Sequence, residues 1–208
     1  MGQIGPRKGD MRYFCLIFLS LSIDIYGFET VQFGDNSFHR SVWDSLKKEE
    51  YYSKSQVNSQ KDKQQSLNFQ SMGLHTVSCQ IALVKISRYE YYSQFLSFVK
   101  QSSYDDKARL ISLTLSHSLM PFDMDLSFKL DRVEKPGVYP FVFEGGFLKG
   151  LNGEIQISEF SKRCFFNAVA KWQGPDTKIP NTVFEFFTQV LGQLTLKNLF
   201  RISKTMTF

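Results

Sequence analysis

The second half of the chain alternates between apolar and polar residues over several short segments. Ile111, Leu113 and Leu115 alternate with polar residues, and the same two-residue period runs from Asp123 to Asp131. Three further segments repeat it: Tyr139 to Phe143, Ile155 to Ile157, and Cys164 to Trp172. Because successive strand side chains point to opposite faces, this period predicts antiparallel strands with one face on a core.

An earlier strand is predicted where His75, Val77, Cys79 and Ile81 alternate with polar residues. Before it, residues 54–66 read KSQVNSQKDKQQS and contain almost no apolar residues. A segment of that composition buries too little apolar surface to offset the entropy of ordering. We therefore expect residues 54–66 to form a mobile loop.

A helical period predicts three helices. The first, within residues 38–52, is short and amphipathic, with Val42, Trp43 and Leu46 turned inward. The second follows Ser87 as N-cap and carries apolar residues at helical spacing: Tyr91, Tyr92, Phe95, Leu96 and Val99. The third is long and begins near Pro180, with Thr182 and Glu185 at capping-box spacing. Its predicted apolar stripe consists of Val183, Phe187, Val190, Leu191 and Leu194.

These elements follow one another as strand, helix, a run of antiparallel strands and a long C-terminal helix. That order indicates the α+β class, in which helices cover one face of an antiparallel sheet.

The N-terminus has the composition of a secretory signal peptide. A basic stretch that ends at Arg12 precedes an apolar run from Tyr13 to Leu21, and Gly27 follows as a cleavage point. The rest of the chain has no apolar run long enough to span a membrane, so we expect a periplasmic or secreted protein. The alternative is a buried N-terminal strand or helix, and Met11 is an alternative start.

Charge and motif content limit the possible functions. The 25 basic and 20 acidic residues give a net charge of +5 without long runs of one sign, which argues against nucleic acid as a partner. No G-x-S-x-G, H-E-x-x-H, C-x-x-C or EF-hand pattern occurs in the sequence. His39, His75 and His117 lie far apart without metal-ligand spacing. We therefore expect no metal site, no cofactor and no catalytic residue.

Four glycines occur within GGFLKGLNG, residues 145–153. Lys149 precedes its glycine, whereas the lysine of a P-loop follows one, and the dinucleotide-binding spacing is absent too. Residues 154–159 alternate like a strand and show no helical period. The glycines are therefore predicted to let two neighbouring strands turn sharply, because glycine tolerates positive φ.

Three stretches resemble the START-like superfamily, also called the helix-grip or Bet v 1-like (SRPBCC) fold, and in particular its polyketide cyclase and coenzyme Q-binding branch. They are Y-x-x-F-L-x-x-V-K-x-S at residues 92–102, the glycine hairpin, and IPNTVFEFFTQVLGQLTLKNLFR at residues 179–201. The resemblance covers residues 73–203. It implies a curved antiparallel sheet wrapped around the last helix, an apolar cavity between them, and the glycine hairpin at one lip of the cavity.

With this resemblance, the chain divides into a signal peptide over residues 1–27, an N-terminal extension over 28–72 and a START-like domain over 73–208. The 21 phenylalanines either fill the core or line the cavity, since the two share a composition. The resemblance favours a cavity that binds a hydrophobic ligand, of the lipid or isoprenoid quinone class. The predicted ligand-binding residues are Phe128, Phe141, Phe143, Ile155, Phe184, Phe187 and Leu191.

A non-enzymatic binding module is the expected function, and two alternatives stay open. A cyclase or aromatase-type enzyme needs a polar group inside the cavity, and the candidates are Tyr139, Glu144, Arg163 and His117. A protein-interaction module would instead use residues 28–70 to dock a partner that the sequence does not identify.

Cys79 and Cys164 remain once Cys15 is removed with the signal peptide. In the layout that the resemblance implies, these residues sit in the first and last strands, which are neighbours. A bridge requires matching register and Cα atoms within about 7 Å, and a slip of one residue turns a side chain away. The sequence therefore favours two separate thiols, with a bridge as the alternative that an oxidising compartment permits.

Overall fold

The structure is a computed structural model that describes residues 30–33, 36–48, 51–60, 63–116 and 123–205. The expected signal peptide and the candidate residue His117 lie outside the described residues. The strands are β1 (Thr30–Phe33), β2 (Asn36–His39), β3 (Tyr51–Gln60), β4 (Gln64–His75), β5 (Val99–Asp105), β6 (Leu110–Leu115), β7 (Met124–Leu130), β8 (Gly137–Gly145), β9 (Asn152–Phe160) and β10 (Arg163–Pro175). The helices are α1 (Arg40–Lys47), α2 (Cys79–Ile86), α3 (Tyr92–Phe95) and α4 (Asn181–Thr205), and a 3-10 turn spans Tyr89–Tyr91.

Strands β3 to β10 form one antiparallel sheet in the order β3-β4-β10-β9-β8-β7-β6-β5, and β1 pairs separately with β2. The curved sheet packs against α4, which lies along β3 and β4. This arrangement confirms the predicted α+β helix-grip architecture. The alternating segments at residues 111–115, 124–130, 139–143, 155–157 and 164–172 all lie in strands, as predicted.

The predicted short helix is confirmed as α1. Trp43 and Leu46 are buried in a cluster with Phe165 on the outer side of β10, and Val42 is partly buried beside them. The Trp43 ring meets the Phe165 ring edge-on at 5.9 Å between centroids. Helix α1 therefore covers the sheet face opposite to α4.

The predicted mobile loop over residues 54–66 is wrong, because this segment forms most of β3 and the start of β4. Ser55, Val57 and Gln65 are buried in this segment. Strand β4 pairs along its full length with β10, so the eight-stranded sheet begins well before residue 73.

Gln65 explains how so polar a segment can be buried. Its side-chain amide donates to the Ile179 carbonyl at 3.1 Å, and its carbonyl oxygen accepts from the Thr177 hydroxyl at 2.6 Å. These partners lie more than a hundred residues away. A buried polar group is tolerated when it is hydrogen-bonded, and composition alone does not reveal such a partner.

The predicted strand from His75 to Ile81 is also wrong. His75 is the last residue of β4, and Cys79 begins helix α2. Ala82 and Leu83 are buried on this helix, whereas Ile81 is 54% exposed, so the burial follows a helical period. The helix predicted after Ser87 is shorter than expected, comprising the 3-10 turn and the single turn of α3.

The position of α4 is confirmed, but its predicted apolar stripe is only partly correct: Phe187 and Leu191 face the sheet, whereas the two ends of the stripe do not. Val183 is 53% exposed and Leu194 is 44% exposed. Five of the seven buried residues of α4 recur at every fourth position: Phe184, Thr188, Gly192, Leu196 and Phe200. Thr188 and Gly192 are not strongly apolar, so the spacing of apolar residues in the sequence did not identify this buried face of α4. At Gly192, a Cβ atom would lie 2.6 Å from the Phe69 ring, so the glycine allows the helix to approach the sheet closely.

The preference for two separate thiols is wrong as well. Cys79 and Cys164 form a disulfide with Cα atoms 4.5 Å apart across a sequence separation of 85 residues. Strand β4 does lie beside β10, with His75 opposite Cys164. Cys79 approaches from the first turn of α2 and not from a strand, so strand register does not control the bridge.

The glycine hairpin between β8 and β9 is a turn, as predicted. Gly146 and Gly150 have φ angles of +94° and +89°, which glycine adopts without a Cβ clash. The Gly150 amide donates to the Phe143 carbonyl at 2.9 Å and closes the loop. Phe147 and Leu148 therefore lie at the tip of a hairpin whose loop is closed by this hydrogen bond.

Candidate functional site

A cavity of about 360 Å³ lies between the sheet and α4. Its wall includes side chains from seven consecutive strands of the sheet, from β4 to β5, and from α4. The sheet residues are at alternate positions, such as Ile111, Leu113 and Leu115 of β6. The two-residue period that predicted the strands therefore also determines which side chains face the cavity.

Helix α4 lines the cavity with two neighbouring rows of side chains, and the more deeply buried row also holds the helix against the sheet. Phe187, Leu191, Thr195 and Leu199 line the cavity at a spacing of four residues. The row that begins at Phe184 packs between α4 and strands β3 and β4. Because both rows follow the helix axis, anchoring of the helix also fixes the cavity wall.

The segment between β4 and β5 covers another part of the cavity. Ile86 of α2, Tyr89 of the 3-10 turn, and Tyr92 of α3 all line it. Arg132 fixes this segment: its guanidinium donates to the Ser87 carbonyl at 2.9 Å and to the Glu90 carboxylate at 3.0 Å. The disulfide ties the other end of the segment to β10.

Phe147 and Thr195 are the most exposed residues of the cavity wall, and they mark its mouth. Phe147, at the tip of the glycine hairpin, is 39% exposed, and Thr195 is exposed on α4. The Phe147 ring packs edge-on against Phe184 at 5.8 Å between centroids. The hairpin thus forms one lip of the cavity, in agreement with the expectation from the sequence.

Aromatic rings form a large part of the wall. The rings of Phe128 and Phe143 lie edge-on with centroids 5.0 Å apart, and Phe141 and Phe143 are 6.1 Å apart. Phe98, Phe166 and Phe187 also line the cavity. Edge-to-face contacts of this kind hold rings in defined orientations, which gives the wall a fixed shape.

Four of the five hydroxyl groups of the wall form hydrogen bonds within the protein, and the fifth, Thr195, is exposed at the mouth. Tyr92 donates to the Ile86 carbonyl at 2.6 Å, and Tyr89 donates to the Asp131 carbonyl at 3.1 Å. Thr188 donates to the Ser55 hydroxyl at 2.7 Å. Burial raises the pKa of the Tyr92 phenol well above its usual value, and burial likewise raises the pKa of Tyr89. Both phenols are therefore protonated donors at neutral pH.

Six of the seven predicted ligand-binding residues line the cavity: Phe128, Phe141, Phe143, Ile155, Phe187 and Leu191. The seventh, Phe184, is fully buried behind the wall, where its ring contacts Trp172 at 6.0 Å between centroids. The sequence reasoning missed Tyr89, Tyr92 and Thr195. Thr195 follows Leu191 by four residues, so a helical period that included small polar residues would have found it.

The described polar candidates for an enzyme site lie outside the cavity wall. The Tyr139 hydroxyl donates to the Lys135 carbonyl at 2.7 Å, and Arg163 donates to the Leu74 carbonyl at 3.1 Å. Glu144 pairs with Lys129 at 2.8 Å, and the hydrogen bond from this lysine lowers the pKa of the Glu144 carboxyl.

A second depression, of about 660 Å³, lies on the other face of the sheet, across β5 to β8. It is open to solvent and largely polar, and Ser103, Ser112 and Ser127 form a row across adjacent strands. Small hydroxyl side chains of this kind are ordinary on the solvated face of an antiparallel sheet. The apolar cavity, which combines enclosure with a defined wall, is the better candidate for a binding site.

Within the described ranges, no group of three or more His, Cys, Asp or Glu side chains could hold a metal ion. None of the helices in the described part of the chain combines the length and hydropathy that a membrane span requires.

Solved structures show the same fold. Ara h 8.0201 has a TM-score of 0.53 and 11% identity, and the match covers 68% of this chain and 99% of that chain. A START superfamily protein from Mycobacterium smegmatis has a TM-score of 0.51 and 11% identity, covering 67% and 99%. The di-domain ARO/CYC StfQ from the steffimycin biosynthetic pathway has a TM-score of 0.52 and 8% identity, covering 67% and 51%.

The chain therefore has the START-like, Bet v 1-like helix-grip fold. Identities this low establish the fold alone. No protein-family model matches the sequence, and no curated protein matches it.

Proposed function

We propose that this protein binds a hydrophobic small molecule, of the lipid or isoprenoid quinone class, in the cavity between the sheet and α4. The observation that carries the proposal is an apolar cavity of about 360 Å³ between the sheet and α4. Ligand pockets are typically concave, mostly apolar and about 300–1,000 Å³ in volume.

The energetics of an unfilled cavity support an occupant. Wall residues such as Phe141 and Leu191 lack apolar contacts on the side that faces the cavity. A bound apolar molecule supplies those dispersion contacts and removes apolar wall surface from water.

Binding is better supported than the two alternatives. A cyclase-type enzyme would need an available titratable group at the cavity, and the described candidates Tyr139, Glu144 and Arg163 are engaged elsewhere. The phenols of Tyr89 and Tyr92 in the wall donate to backbone carbonyls of the protein. A docking role for residues 28–70 is weakened because α1 buries Trp43 and Leu46 in its own domain and β3 belongs to the main sheet.

Native mass spectrometry of protein purified without detergent tests the proposal. We expect a bound small molecule that is released by organic solvent. The neutral fluorophore N-phenyl-1-naphthylamine should also bind, with a blue-shifted emission that Leu191→Trp abolishes by filling the cavity. Leu194→Trp, on the exposed side of the same helix, is the matched control and should bind normally. Absence of both an endogenous ligand and fluorophore binding would overturn the proposal.

We further propose that the protein is exported, with cleavage after Gly27. The basic and apolar pattern of the N-terminus supports export, as does the buried disulfide, since disulfides persist in oxidising compartments. N-terminal sequencing of the protein from the cells that produce it is the test. A mature chain that begins at Phe28 is expected, and a cytosolic protein that retains residues 1–27 would contradict export.

A further inference from the structure

We infer that the ligand of this cavity is compact and uncharged, so that the site excludes anionic lipids such as fatty acids as well as complete diacyl lipids. This inference rests on the proposed function and narrows its ligand class. Three features of the cavity carry it: the volume, the composition of the wall, and the hydrogen bonds of the hydroxyl groups in that wall.

The volume limits the size of the ligand. In liquid water each molecule occupies about 30 Å³, so the cavity volume of 360 Å³ equals that of about 12 water molecules. Ring carbons and methylene groups packed as in a protein interior take less space each, so the cavity has room for roughly 20 non-hydrogen atoms of a ligand. A diacyl lipid is several times larger. The fixed Phe128 and Phe143 rings give the wall little freedom to expand.

The composition of the wall disfavours a charge. Over the described residues the cavity is lined by aliphatic and aromatic side chains, with hydroxyls as the polar side chains: Ser71, Tyr89, Tyr92, Thr188 and Thr195. Transfer of an isolated carboxylate into such surroundings is strongly unfavourable unless a cation or several donors compensate for the lost hydration.

The hydroxyl groups are poor substitutes for such donors. The protons of Tyr89, Tyr92 and Thr188 are directed at protein acceptors, and the Ser71 hydroxyl pairs with the Ser53 hydroxyl at 2.8 Å. An anion could recruit one of these protons only by breaking a buried hydrogen bond. An uncharged ligand needs no such exchange.

A pair of fluorophores with one skeleton tests the charge preference. N-Phenyl-1-naphthylamine is neutral, and 8-anilino-1-naphthalenesulfonate adds a sulfonate to the same rings. Titration of the full chain should give at least tenfold tighter binding of the neutral probe. Equal or tighter binding of the sulfonate would overturn the inference while leaving the proposed function intact. Failure of both probes to bind would instead remove the proposed function and the inference with it.

Lysine variants test the cause of the preference. Leu191→Lys places an ammonium group on a cavity-lining row of α4, and Leu194→Lys adds the same charge on its exposed side. We expect Leu191→Lys to bind the sulfonate at least tenfold more tightly than Leu194→Lys. Thr195→Lys, at the exposed mouth, is a second variant in case the first fails to fold. If neither variant exceeds the Leu194→Lys control, the charge inference is wrong.

Native mass spectrometry tests the size limit. The mass of the occupant carried through purification should lie below that of any diacyl phospholipid. An adduct with the mass of a diacyl lipid would overturn the size limit, even though it would support the broader proposal of hydrophobic binding.

Discussion

The backbone amide of Val57 donates a hydrogen bond of 2.7 Å to the carboxylate of Glu185. Val57 lies in the edge strand β3, and Glu185 lies in the first two turns of α4. The outer backbone groups of an edge strand lack a partner strand, and a helix side chain here satisfies one of them. The same contact anchors the N-terminal end of α4, the helix that forms one wall of the cavity.

Loss of this contact should destabilise the protein. Glu185→Ala leaves the Val57 amide without its acceptor, so we expect a loss of about 1–3 kcal/mol in the free energy of unfolding, measured in urea. Glu185→Gln keeps an acceptor oxygen and should lose less than half as much. Equal effects of the two substitutions would show that the charge, and not the hydrogen bond, matters.

Removal of the disulfide should have a larger effect. By the chain-entropy relation, a bridge that closes a loop of 85 residues stabilises the folded state by about 4–5 kcal/mol. Cys79→Ala with Cys164→Ala should lower the free energy of unfolding by up to this amount. Thiol titration of denatured, unreduced protein should find neither cysteine reactive. Reaction of both cysteines would mean that the bridge is absent.

Two glycines of the β8–β9 region should differ in their response to alanine. A Cβ atom at Gly153 would lie 2.0 Å from the Val169 carbonyl oxygen, on the adjacent strand backbone. At Gly150 no atom lies within 4 Å of the added Cβ, and only the positive φ is unfavourable. We expect Gly153→Ala to destabilise by more than about 2 kcal/mol, and Gly150→Ala by about 1 kcal/mol. Thermal unfolding of both variants decides this, and equal shifts would contradict the packing argument.

Stability should fall in alkaline solution. Unfolded tyrosine ionises near pH 10, whereas burial raises the pKa of Tyr92 well above that value and also raises the pKa of Tyr89. The folded state therefore holds more protons above pH 10, and each such tyrosine lowers the free energy of unfolding by up to about 1.4 kcal/mol per pH unit. The contribution of these tyrosines to the free energy of unfolding is fully present below pH 10, and it is lost as the pH rises through their pKa in the folded state.

Tyr92→Phe should make the free energy of unfolding fall less steeply with pH above pH 10, by the slope that corresponds to about one proton. The substitution also removes the hydrogen bond to the Ile86 carbonyl at neutral pH. Tyr91→Phe, on an exposed side chain, serves as the control for tyrosine content. Urea unfolding between pH 8 and pH 11 provides the measurement. Identical slopes for the wild type and Tyr92→Phe would rule out this explanation.

Much of the candidate cavity was predictable from the sequence, because its sheet residues obey the strand period. Once Phe128, Phe141 and Ile155 are assigned to antiparallel strands, the alternation places them on one face. Phe184 shows the limit of that reasoning. Phe184 is aromatic, as many wall residues are. However, the rotation of α4 about its own axis places the Phe184 ring in the packed layer against Trp172.

The sequence alone determined the five alternating strands between residues 110 and 175, the long final helix and hence the class of fold. Those features follow from local periodicity, which backbone geometry imposes on any half-buried element. Only the tertiary structure decided that the polar residues around Gln65 form strands, that Cys79 meets Cys164, and which rows of α4 face the cavity. Each of these depends on partners and space supplied by residues distant in the chain, such as Thr177 for Gln65 and Phe69 for Gly192, and a local pattern does not contain that information.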